Sequence, residues 1–88
     1  MKIINKRLSE LMNYRRRVLG ITQQQVSDNV FGLQRNAQFA SNIERGKCQL
    51  PPVYIKKLAN YLDVPLDEVI DAMTGDYKES LLHEIDEL

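Results

Sequence analysis

Apolar residues in this 88-residue chain recur three and four positions apart, in short runs divided by glycine and proline, and they nowhere alternate. That spacing leaves one class of fold, short amphipathic helices packed against one another without a sheet. Ile4, Leu8, Leu11 and Val18 predict the inner face of a first helix from about Asn5 to Leu19, with Met12 and Tyr14 beside it. Asn5 is placed to be its N-cap and Gly20 its stop. Thr22 opens a second helix, Gln25 can complete a capping box with it, and Val26 and Val30 supply the inward face until Gly32 breaks the pattern.

Asn36 is the natural cap of a third helix over Ala37–Arg45, closed by Gly46. Ala40 and Ile43 face its core, while Phe39 either folds inward beside the small Ala40, the favoured reading since a buried ring contributes about 2–3 kcal/mol, or reaches out to a thymine methyl group. Pro51-Pro52 start a fourth helix through about Leu62, with Val53, Ile55, Leu58, Ala59 and Leu62 inward. Asp63-Val64-Pro65 then turns the chain into a fifth, about Leu66 to Met73, with Val69 and Ile70 buried. Gly75-Asp76 reads as a stop and a fresh cap. From Tyr77 onward, Leu81, Leu82, Ile85 and Leu88 form one more apolar stripe on an acidic helix. The expected organisation is therefore all-α: a compact five-helix unit over residues 1–74, followed by a C-terminal acidic amphipathic helix over 75–88 that serves dimerisation or partner contact, or else packs back on its own domain.

Charge divides the chain in the same place. Residues 1–57 hold eleven Lys and Arg against three acids, a net +8, while residues 58–88 hold Lys78 against nine acids, a net −8. The formal neutrality of the whole chain hides a basic part suited to a polyanion and an acidic rear. The third helix lies in the basic part and has an inverted composition for a core element. Its Gln38, Ser41, Asn42 and Arg45 are polar and point away from the Ala40–Ile43 side. Two short helices joined by a glycine-containing turn, the second presenting a polar face, is the layout of a helix-turn-helix, whose second helix can enter a DNA major groove.

Taken together, Gly20-Ile21-Thr22-Gln23, then Ser41-Asn42-Ile43-Glu44-Arg45-Gly46, then Lys57-Leu58-Ala59 and Leu62-Asp63-Val64 resemble the Xre-type helix-turn-helix family, which includes phage repressors and Cro proteins. The likeness spans roughly residues 6–72. It implies a five-helix repressor-like DNA-binding domain with the helix-turn-helix at helices 2 and 3, working as a homodimer on a two-fold symmetric operator. The turn between those helices is longer than the family's commonest form, with the excess at 31–35.

By that resemblance Gln23 would approach a phosphate, where its amide and the start of the second helix both favour an anion. Gln38 and Asn42, four residues apart, share one face, and each amide offers the donor and acceptor that adenine's major-groove edge requires. Ser41 can serve a base or a phosphate. Arg35, Asn36, Arg45 and Lys47 bracket the helix, with the basic residues as phosphate clamps. The resemblance also implies that Glu44 braces an arginine near the end of the first helix, either Arg15 or Arg16. The Arg15-Arg16-Arg17 run is then part brace and part backbone contact, or simply a solvated face.

Other chemistry lacks its residues. Cys48 and His83 stand alone in different elements, no glycine loop cradles a phosphate, and no nucleophile has a base beside it, so no enzyme, metal or cofactor is expected. One cysteine cannot make an internal disulfide, and neither the opening residues nor any later run is apolar enough for a signal peptide or a membrane span. A cytoplasmic location is expected. The expected partner is double-stranded DNA, bound by a homodimer acting as a repressor. Two alternatives stay open: an antitoxin that autoregulates its operon and uses residues 76–88 to hold a toxin, or a protein-interaction module that no longer binds DNA.

Overall fold

The computed structural model describes residues 5–32 and 37–88, and every regular element among them is helical. The order is α1 (Lys6–Leu19), α2 (Gln23–Val26, widening into a π turn over Ser27–Phe31), α3 (Ala37–Glu44), α4 (Ile55–Tyr61, entered through a 3-10 turn at Pro52–Tyr54) and α5 (Leu66–Asp86). Three of these helices end in the same hydrogen-bond pattern. At the end of α1, Gly20 N–H donates to Arg17 O and Ile21 N–H to Arg16 O. At the end of α3, Gly46 donates to Ile43 O and Lys47 to Asn42 O. Both glycines sit at positive φ, 68° and 72°, where a side chain would be strained. Asp63 does the same work after α4 at φ 54°, with Val64 N–H on Ala59 O, and Arg15 helps it by donating to the Leu62 and Asp63 carbonyls at 3.0 and 3.2 Å.

The start of α2 follows its sequence signal closely. Gln25 N–H donates to Thr22 Oγ1 at 3.1 Å, and Thr22 N–H donates to Gln25 Oε1 at 2.8 Å, a complete capping box. The helix then loosens earlier than the glycine at 32 suggests. Gly32 N–H reaches back five residues to Ser27 O, and the wider turn lets the consecutive Val30 and Phe31 both be buried. Phe31 packs edge to face on Phe39 and on Tyr54, with ring centroids 4.8 and 5.0 Å away. Phe39 therefore folds inward as its neighbours predict.

Leu8 and Met12 of α1, Val26, Val30 and Phe31, Ala40 and Ile43 of α3, Leu50, Leu58, Ala59, Leu62, Val64 and Val69 form one core. Of the other residues expected inside, Leu11 and Ile55 pack against this core half-buried, Ile4 lies outside the described residues, and three are exposed. Val18 is 55% exposed because the inner side of α1 beyond Met12 belongs to Arg15 and Arg16, whose guanidinium groups satisfy carbonyls and a carboxylate there. Val53 is 76% exposed in the 3-10 turn, whose different rotation per residue carries it off the buried side of α4. Ile70 is also exposed.

The largest departure concerns Gly75-Asp76. They neither stop a helix nor start a new one: α5 runs unbroken for 21 residues. Gly75 is in its interior because the Arg7 side chain crosses α5 where a Cβ would stand. Asp76 is a cap, but of α1. Its carboxylate accepts from the N–H groups of Arg7 at 2.9 Å and Leu8 at 3.1 Å. Asn5 does occupy the N-cap position, and its carbonyl accepts the first helical bond from Ser9. Its side chain turns away instead, donating to Ile43 O at 3.2 Å and Cys48 O at 3.0 Å, and so ties the start of α1 to the end of α3.

Candidate nucleic-acid interface

Helix α3 is short, and its attitude is set from below by contacts to every neighbouring element. Ala40 and Ile43 are fully buried, and Phe39 is wedged against Phe31 and Tyr54. At its C-terminal end Glu44 is the meeting point of four donors. Arg16 approaches with Nε on Oε1 at 2.6 Å and Nη2 on Oε2 at 3.3 Å, a two-pronged pair. Gln23 Nε2 donates to Oε2 at 2.9 Å and Asn13 Nδ2 at 3.3 Å. The Glu44 side chain is 3% exposed, so a carboxylate removed from water is compensated by these four bonds. Arg16 also donates to Ile21 O at 3.0 Å. One side chain thus fixes α1, the start of α2 and the end of α3 relative to one another.

Of the two arginines expected to meet Glu44, Arg16 is the one; Arg15 caps α4. Asn13 on Glu44 was not anticipated from sequence, although its place one turn before Arg16 puts it on the same face. Gln23 carries a double role. One N–H of its amide is committed to Glu44, which leaves the second N–H as the donor an outside anion would meet.

On the opposite side of α3, Gln38 is exposed and Ser41 and Asn42 are half-buried. Gln38 Nε2 donates to Asn42 Oδ1 at 2.9 Å. The pair still presents Gln38 Oε1, the second Gln38 N–H and the Asn42 Nδ2 donors. Arg45 and Lys47 follow directly and are exposed. Arg35 and Asn36 lie outside the described residues. Among the basic residues, Arg7, Arg15 and Arg16 are engaged within the fold, so the +8 of the first 57 residues overstates the charge free to meet a polyanion. Arg17, Arg45, Lys47, Lys56 and Lys57 are exposed.

The rear of the molecule is acidic. Asp67, Glu68, Asp71, Glu79, Glu84, Asp86 and Glu87 are exposed along α5, and His83 pairs with Glu87 at 2.7 Å. Beyond Ser80 every residue is exposed, including Leu81, Leu82 and Ile85 of α5 and Leu88 after it. Among the described residues no group of three His, Cys, Asp or Glu side chains is arranged to hold a metal ion, and no helix is long and apolar enough to cross a membrane.

No protein-family model matches the sequence, and no curated protein matches it. Among solved structures, the fold is similar to the crystal structure of the clp gene regulator ClgR from Corynebacterium glutamicum, with a TM-score of 0.66 at 14% sequence identity. The match covers 98% of this chain and 89% of that one.

Proposed function

We propose that the chain is a sequence-specific DNA-binding transcriptional regulator of the Xre type, acting as a repressor. It would bind a two-fold symmetric operator as a homodimer, with α3 in the major groove. The observation that carries this reading is the division of α3 into two sides. Ala40, Ile43 and Glu44 anchor it, while exposed Gln38 and half-buried Ser41 and Asn42 form a polar row running into Arg45 and Lys47. Gln38 and Asn42 are the base readers, Ser41 serves base or phosphate, and Gln23, Arg45 and Lys47 hold the backbone. Arg35 and Asn36, from the preceding turn, are assigned to the same surface. The fold shared with a gene regulator supports the class of function.

The end of α5 supplies the dimer contact. Tyr77, Leu81, Leu82, Ile85 and Leu88 make an apolar stripe that is exposed among the described residues. Two such stripes face to face would remove on the order of 1,000 Å² from water, the size at which protein pairs become specific. A dimer is also what one eight-residue recognition helix needs to read enough base pairs. The acidity of that segment favours a second reading, in which it holds a basic partner such as a toxin. Sedimentation equilibrium separates the two, since a concentration-independent monomer mass contradicts the homodimer.

Selecting bound fragments from a random DNA pool and footprinting the winner tests the main reading, with an inverted repeat as the expected result. If about five phosphates are neutralised per subunit, log K should fall against log salt with a slope near −4.5 per subunit. Gln38→Ala and Asn42→Ala are expected to lose about 1–3 kcal/mol of discrimination at one base pair each, whereas Lys47→Ala weakens all sequences alike. Equal losses on selected and random DNA for all three variants would contradict the assignment of roles, and no salt-sensitive binding at all would leave the interaction-module alternative.

A further inference from the structure

The point at which α5 leaves the body of the protein is held by three contacts within one helical turn. Asp76 is 7% exposed and caps α1 through the N–H groups of Arg7 and Leu8. Gly75 makes room for the Arg7 side chain, and Glu79 pairs with the Arg7 guanidinium. Asp76 is the last buried residue of α5, and after Ser80 every residue is exposed among the described residues. The cap also suits its place electrostatically, since a carboxylate is favoured where the first N–H groups of α1 lie without helical partners. The arm continues a helix already packed through Val69 and Met73, and Asp76 is the last buried contact that fixes its direction, through a side chain that touches neither the arm's apolar stripe nor α3.

We propose that Asp76, with Arg7, is a positioning residue that sets the spacing between half-sites which the protein accepts on DNA. The proposal rests on the reading that the arm joins two copies. From Asp76 to Leu88 the arm is about 18 Å long at the helical rise per residue. A change of about 20° at Asp76 shifts its tip by about 6 Å, close to two base-pair steps of B-DNA. Two arms joined at their tips transmit that shift to both copies of α3. The grip at Asp76 thus decides whether the dimer tolerates one separation or several, while each copy's own reading of its half-site is unaffected.

The test uses the full chain. Wild type and Asp76→Asn, which keeps the shape but gives up the charge and one strong acceptor, are each used to select from a random DNA pool. The enriched half-site is then built into duplexes whose centre-to-centre spacing is stepped one base pair at a time. Wild type is expected to prefer one spacing over those two base pairs away by roughly tenfold, and Asp76→Asn to bind these within about threefold of each other. Affinity for an isolated half-site should stay within about twofold, a split that a mere loss of stability would not produce. An unchanged spacing preference in Asp76→Asn overturns the proposal. Should that variant fail to fold, Arg7→Ala leaves the cap in place, removes the pair with Glu79 and the side chain lying across Gly75, and is expected to broaden the preference less; no broadening there is equally fatal. A wild type that selects no paired half-sites brings down the dimer reading and the spacing claim with it. Spin labels at Glu10→Cys and Glu84→Cys in a Cys48→Ala background then decide separately whether Asp76 aims the arm, through a narrow distance distribution that Asp76→Asn broadens.

Discussion

Two buried carboxylates hold the two ends of α1, and they do so in opposite ways. Glu44 receives side chains: Arg16, Gln23 and Asn13 converge on it, all from within 31 residues in sequence. Asp76 receives only backbone N–H groups, from residues 68 and 69 positions away. The first arrangement locks three helices around the proposed reading surface. The second joins the two termini of the chain and directs the arm. A side-chain hub needs particular partners at particular positions and so leaves a motif. A backbone cap asks nothing of its partners' identity and leaves none.

The contrast makes unequal predictions. Glu44→Ala removes the acceptor of four donors and strands a largely buried arginine, which should cost about 3–5 kcal/mol in urea denaturation. Replacing both partners, Arg16→Met with Glu44→Leu, should recover part of this, because two apolar groups of similar volume leave no unpaired charge, although Gln23 and Asn13 still lose theirs. A single Glu44→Ala variant that unfolds within about 1 kcal/mol of wild type would mean the hub is not holding the helices.

Asp76→Ala should cost less, about 1–2 kcal/mol, the range for a lost N-cap that leaves a buried N–H without a partner. Its effect should be local. Hydrogen exchange is expected to quicken in the first turn of α1, at Arg7 and Leu8, and in α5 beyond residue 76, while amides of α3 keep their protection. A loss as large as that of Glu44→Ala, or one spread evenly over the molecule, would erase the distinction between hub and cap.

What the sequence made legible follows the same line. Thr22 with Gln25, Gly20 and Gly46 act within six residues of themselves, and their turns and caps form as their chemistry predicts. Phe39 turns inward because its neighbours in the helix leave room for it. The partner of Glu44 could be narrowed to two arginines by pattern, but choosing Arg16 over Arg15 required knowing that Arg15 finds the end of α4. Val18 and Val53 fit a helical stripe by spacing, yet one is displaced by arginines with better partners and the other by a change of helix type. Gly75-Asp76 misled for a deeper reason. Locally the pair is a stop and a cap, and only the approach of Arg7 from the other end of the chain makes a glycine useful inside a helix and an aspartate useful to a distant one.

The smallest expected effect tests that last point most closely. Gly75→Ala should gain roughly 1 kcal/mol of helix propensity. Against this, the new methyl group must displace the Arg7 guanidinium, the far end of a flexible side chain whose pairing with Glu79 is half-exposed and so contributes at most about 1 kcal/mol. The two nearly cancel, and Gly75→Ala alone should lie within about 1 kcal/mol of wild type. In an Arg7→Ala background nothing opposes the methyl group, and the same substitution should stabilise by close to its full propensity of about 1 kcal/mol. Thermal melts of the four proteins close the cycle, and the coupling between positions 7 and 75 is the quantity to read. Zero coupling would mean that Arg7 does not lie across α5 at Gly75, and that the glycine is there for no reason this fold supplies.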